Sequence, residues 1–248
     1  MQPRPTDSDG FGATARHGVR DWRPRLVLLL WFGAALLVIL SATALLIAQI
    51  TATAAHGPFW DEVHQNLSVG AEFNLPTWFA SMLWGSFALI AWYLSTADSS
   101  RRRSWWMLVA LGLLASIDEY LMLHERLNAP SSGIERVIGI DLGGATWVLL
   151  GIVVAGTVAA LLTRFVLSLP SRTRRNLILG GLLFLAGAIG FEVISSLALE
   201  ATGTLDWVSG FTLHIEESLE YAGVIVAIRG LLGMVRDPAQ EEVRRAES

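Results

Sequence analysis

Residues 26–50 read LVLLLWFGAALLVILSATALLIAQI, 25 residues without a single charge. At about 1.5 Å of rise per residue, a helix of that length crosses the roughly 30 Å of hydrocarbon in a bilayer. The triplet Ala52-Thr53-Ala54 just downstream imitates a leader-cleavage site. A secretory leader, however, has an apolar core of only about 7–15 residues, so the segment reads as a retained helix. Further apolar runs follow at 75–96, 104–123, 142–163, 176–199 and 211–228. Together they predict an all-helical polytopic membrane bundle of six spans. Pro76 falls in the first turn of the second run, where its missing N–H costs nothing.

The composition agrees. Hydrophobic residues make up 53% of the 248, and charged residues only 16%, against about 25% in soluble domains. Residues 1–24 and 236–248 are charged and rich in small residues and read as tails flanking a transmembrane domain at 25–235. The chain has no cysteine, which excludes thiolate metal sites and thiol nucleophiles. All 18 basic residues are arginine, so Schiff-base chemistry on lysine is excluded as well.

Arginine placement orients the spans. With six crossings, the tails and the even-numbered connections share one side, and they hold every arginine except Arg126 and Arg136. The positive-inside rule makes that side cytoplasmic and both termini internal. The frame predicts a multi-pass protein of a bacterial inner membrane. Trp78, Trp147 and Trp207 then fall near the outer span ends, with Trp22, Trp92, Trp105 and Trp106 near the inner ends, as an interfacial belt requires.

Acids and histidines collect at the opposite, outer side. Asp118 lies about 21 Å up the third span, and Glu192 about 24 Å up the fifth. In the sixth, His214, Glu217 and Glu220 step toward the midplane at about 4.5 Å intervals. Glu72 stands at the mouth of the second. At 100° per residue, Asp118 and Glu125 share a face of the third helix, with Glu119 and His124 each about 100° off it. On the sixth, His214, Glu217, Ser218 and Tyr221 form one stripe, and Glu216 with Glu220 a second. Acids inside spans are costly and face a cavity or a partner. With so little arginine nearby, these must hold protons or surround a cation.

Carboxylates from several helices with Glu-x-x-His spacing suit a metal pair in a helix bundle. Glu72, Asp118, His124, Glu125, Glu192, His214 and Glu217 are the candidate ligands, for iron, manganese or zinc. Glu119 and Glu220 are the candidates for acid–base work. His214-x-x-Glu217 has the right spacing in reversed order, and His124 comes on register only if the third helix unwinds near Asn128-Ala-Pro130. The combined pattern of SIDE (116–119), HE (124–125), FE (191–192) and HIEESLEYAG (214–223) resembles that of uncharacterised six-span bacterial membrane proteins, a resemblance that implies no activity.

The leading functional expectation is a metal-dependent membrane enzyme, its site open to the outer side, acting on a lipid-like or small apolar substrate. The alternative is a small proton- or cation-coupled transporter using the same acidic ladder, and a third reading is a sensor or scaffold. The expected partners are membrane lipids and a small-molecule or lipid-like substrate, not nucleic acid.

Overall fold

The computed structural model describes residues 21–51, 58–139, 142, 145–203 and 207–235. Both expected tails fall largely outside this set. Every regular element among the described residues is helical. In chain order these are α1 (Arg23–Thr51), α2 (Pro58–Leu67), α3 (Leu75–Ala97), α4 (Arg102–Leu121), α5 (Asn128–Ile138), α6 (Val148–Leu167), α7 (Ser171–Leu185), α8 (Glu192–Thr202) and α9 (Trp207–Leu232). A six-residue π-helical segment, Ala186–Phe191, joins α7 to α8 as one continuous rod.

Among the described residues, four stretches are long and apolar enough to cross a membrane: Arg23–Ile47, Leu75–Ala97, Val148–Leu167 and Ser171–Ala201. The chain is a membrane protein by that measure. The other two long helices, α4 and α9, carry acids and arginines along their length, which dilutes their hydropathy.

Two short helices were not foreseen. α2 and α5 lie in connections that read as loops, and each is amphipathic. The boundaries of α6 also differ from the expected 142–163. Apolar sequence alone allows several starts; the cap fixes one. Asn128 Oδ1 accepts the Trp147 N–H at 2.8 Å and the Thr146 hydroxyl donates to the Asn128 carbonyl at 2.8 Å, so α6 begins at Val148 and continues past Arg164 to Leu167. At α3, Asn74 caps the helix by accepting the Thr77 N–H at 3.1 Å. Its amide donates to the Ser68 and Gln65 carbonyls, pinning the α2–α3 loop over the start of α3.

α9 is central and packs on α1, α3, α7, α8 and the π segment. Glycine permits its closest approach: a Cβ on Gly180 would lie 2.6 Å from the Gly223 carbonyl oxygen. The apolar core fills one half of the bundle, around Trp105, Leu83, Ile225, Ile228 and Leu231, all fully buried. The acidic side chains occupy the other half.

Candidate functional site

α4 ends earlier than the apolar run 104–123 suggests. Met122 adopts a left-handed conformation, φ 49°, and closes α4 at Leu121. The chain therefore folds back, and the Asp118 carboxylate receives both the His124 N–H at 2.8 Å and the His124 ring Nδ1 at 2.9 Å. The expected pairing of Asp118 with Glu125 on one helical face is thus corrected: Glu125 sits on a separate 3-10 turn and is exposed. His124 comes into register instead, its ring 4.7 Å from that of Trp147. Unwinding was expected near Pro130, but it occurs six residues after Ser116, at Met122.

From this latch the acids run inward. Glu119 interacts electrostatically with His124, Asp118 and Glu72 and lies beside Trp84. Glu217 feels Glu119, Glu72 and Glu192, and Glu220 feels Glu217, Glu119, Glu216 and Glu192. Glu216, 5% exposed, accepts the Ser195 hydroxyl at 2.6 Å, and its carboxyl lies within hydrogen-bonding reach of that of Glu192. Trp147 Nε1 donates to Glu192 Oε1 at 3.3 Å. The two stripes of α9 can both be interior because α9 is surrounded. One faces α1 and α3, where His214 meets Ser41 and Tyr221 meets Phe79, and the other faces the π segment, where Gly187 leaves room. A Cβ there would stand 2.7 Å from the Glu216 carbonyl and 2.8 Å from Glu220 Cγ. π-Helical insertions are rare and recur at functional sites.

At the mouth, Glu72 is solvent-accessible. Even so, the protein packed around it strips hydration and, with the Glu125 charge, lifts its carboxyl above the ordinary value, against the pull of His124 and Thr77. For His124, burial acts to lower the imidazole. The Asp118 hydrogen bond and charge, with Glu119 and Glu192, outweigh it, so His124 is held above its ordinary value of 6.5.

His214 is placed elsewhere. Its Nδ1–H donates to the Gly210 carbonyl at 2.6 Å, which leaves Nε2 to accept from the Ser41 hydroxyl at 3.0 Å. Ser41 Oγ in turn accepts the Val69 N–H at 3.0 Å. His214 thus ties α9 to α1 and the α2–α3 loop. Glu72, Asp118, Glu119, His124, Glu192, Glu217 and Glu220 are brought together, with Glu125 at the edge beside Glu72.

The chain belongs to the family described as a domain of unknown function (DUF8692). The family model matches residues 29–235, which takes in every helix named above except the start of α1. No curated protein and no solved structure matches.

Members of the site that sequence reasoning passed over are Glu216, Ser195, Trp84, Trp147 and Tyr221. Sequence spacing places Glu216 with Glu220 on the second stripe of α9, where the structure has it beside Gly187, but gives it no role. Glu216, Ser195 and Tyr221 lie within three residues of acids already singled out, whereas Trp84 and Trp147 carry no such signal. Among the described residues, no three acidic or histidine side chains are placed to hold one metal ion.

Proposed function

We propose that this is a six-span membrane protein with both termini cytoplasmic, whose outward-opening acid cluster exchanges protons for a cationic substrate, as a small proton-coupled transporter does. One observation carries the reading. Carboxyl groups of Glu119, Glu217, Glu220, Glu216 and Glu192 form an unbroken electrostatic chain with His124 as the basic group at its end. Like charges at that spacing cannot all be ionised together. The cluster therefore stores protons and gives them up when another positive charge arrives.

This reading gives each group a role along that route. Glu72 and the Asp118–His124 latch form the entrance, Glu119 and Glu217 the exchange point, and the Glu192–Glu216 pair the deep proton store, with Ser195 and Trp147 holding its two carboxyls apart from lipid. Inward passage beyond Glu220 would need movement of α9 against the glycine-lined α7 face.

A metal-dependent enzyme with a lipid-like substrate is the second reading. It is favoured by the convergence of Glu72, Asp118, His124, Glu192 and Glu217 from separate segments, a donor set suited to iron, manganese or zinc. Purified protein in weakly buffered solution separates the two. On addition of a soluble ammonium ion, exchange releases protons from the wild type and fewer from Glu217→Gln. Bound transition metal that is lost in Glu217→Gln, with no proton release, would replace the transport reading with the enzymatic one.

A further inference from the structure

Along the α3–α4 contact, one helical turn from Glu119, lies an open-sided groove of about 400 Å³, lined by Trp78, Ser81, Met82, Gly85, Leu89 and Ser116 among others. Small-molecule sites begin at about 300 Å³. Trp78 and Leu89, which wall its ends, are 58% and 61% exposed in a stretch apolar enough to lie in hydrocarbon. The groove follows α3 for about 16 Å, the rise between residues 78 and 89. Its floor is small because Gly85 has no side chain; a Cβ there would reach only Ser116 Oγ, at 3.7 Å.

Polar atoms mark the inner wall. Ser81 Oγ donates to the Ser116 carbonyl at 2.7 Å and Ser116 Oγ donates to the Ser81 carbonyl at 2.8 Å. One helical turn beyond each serine stand Glu119 on α4 and Trp84 on α3, which lie beside each other. Across the cluster, Tyr221 is 2% exposed, and its hydroxyl has no hydrogen-bond partner. Its nearest polar neighbour is the Glu217 carboxyl, which interacts with it electrostatically. A buried hydroxyl left unmatched costs about 1–3 kcal/mol, so its retention in the middle of the acids points to a ligand atom that completes it.

We propose that the groove and the cluster together bind a single-chain primary alkylammonium amphiphile drawn from the membrane. The alkyl chain lies along Trp78, Met82, Gly85 and Leu89, and the ammonium passes the Ser81–Ser116 pair to reach Glu119, Glu217 and the Tyr221 oxygen. Charge complementarity selects the headgroup: a primary ammonium has three donors and meets acceptors. The lipid-facing opening selects the tail. This rests on the cation-exchange reading by naming its substrate class.

The test is equilibrium binding of radiolabelled dodecylammonium to the full-length protein in nanodiscs, corrected with empty discs, with dodecanol and dodecyl sulfate as competitors. The wild type is expected to bind dodecylammonium at least tenfold more tightly than dodecanol competes, and dodecyl sulfate not to compete. Gly85→Leu, which fills the groove, is expected to weaken binding at least tenfold, and Glu119→Gln to abolish the preference for ammonium over alcohol. Tyr221→Phe is expected to weaken binding while the protein stays folded. Equal competition by dodecanol, or binding unchanged in Gly85→Leu, would overturn the proposal. So would a change in oligomeric state of Gly85→Leu without ammonium preference, which would make the groove a docking face for a second copy. Proton release recorded in the same titration separates the two levels. Selective binding without release leaves the groove site standing and removes exchange; release by soluble ammonium with no alkyl requirement does the reverse.

Discussion

Tyr221 and His124 are the side chains on which the site turns. Tyr221 is packed edge-on against Phe79, ring centroids 5.6 Å apart, and this contact survives removal of the hydroxyl. Tyr221→Phe is therefore expected to leave thermal stability unchanged or raise it, by up to about 1–3 kcal/mol, since it removes an unmatched buried group. A melting curve of the solubilised protein checks this, and a loss of stability would show that the hydroxyl has a partner. His124 gives a pH prediction. Its folded-state value is raised, so the ionic part of its contact with Asp118 is fully present below 6.5 and fades as pH rises through the folded value. His124→Gln is expected to remove that pH dependence of stability while keeping a donor for Asp118. The participation of His124 was not legible in the sequence, because helical periodicity says nothing about where a left-handed residue such as Met122 will end the helix.

At the scale of elements, the π segment and the α3–α4 corner make opposite uses of local geometry. Gly187 lets the segment lie against Glu216 and Glu220, so Gly187→Val is expected to push α8 from α9. Overpacking of this kind costs about 1–3 kcal/mol, and here it should also reduce proton release, since Glu192 follows directly. The corner is held by Asp98, which accepts from Arg101 Nε at 2.6 Å, Trp105 Nε1 at 3.1 Å and Ser100 Oγ at 2.7 Å. Burial pushes its carboxyl up, but these three bonds win and hold it at about 2 instead of 3.8. The stabilisation is present above about 4 and is lost as pH falls toward 2. Asp98→Asn should flatten that acid limb of the stability curve, and an unaltered limb would assign it to other carboxylates. The long helices were readable from apolar run length, and four of them are apolar enough to cross a membrane. Span ends were not, because caps such as Asn74 and Asn128 act across the loops.

For the molecule as a whole, the segregation of arginine from acid was the most informative feature of the sequence, and it needs no contact to be read. It anticipated that acids from α4, α8 and α9 occupy one half of the bundle. What escaped it was rotation: the surroundings of α9 decide which acids are interior, and these depend on the glycine-mediated approach of α7. The cysteine-free chain also makes topology directly testable. Asn66→Cys is expected to react with a membrane-impermeant maleimide on intact cells, and Ser99→Cys only after permeabilisation. The reverse pattern would invert the assignment of sides.

The most direct test of the proton-holding cluster is infrared spectroscopy of the purified protein at neutral pH, comparing the wild type with Glu192→Gln and Glu216→Gln. The account predicts an absorption of protonated, hydrogen-bonded carboxyl groups that weakens in both variants, because the two carboxyls lie within hydrogen-bonding reach of each other. No protonated-carboxyl absorption in the wild type, or one that neither substitution changes, would contradict it.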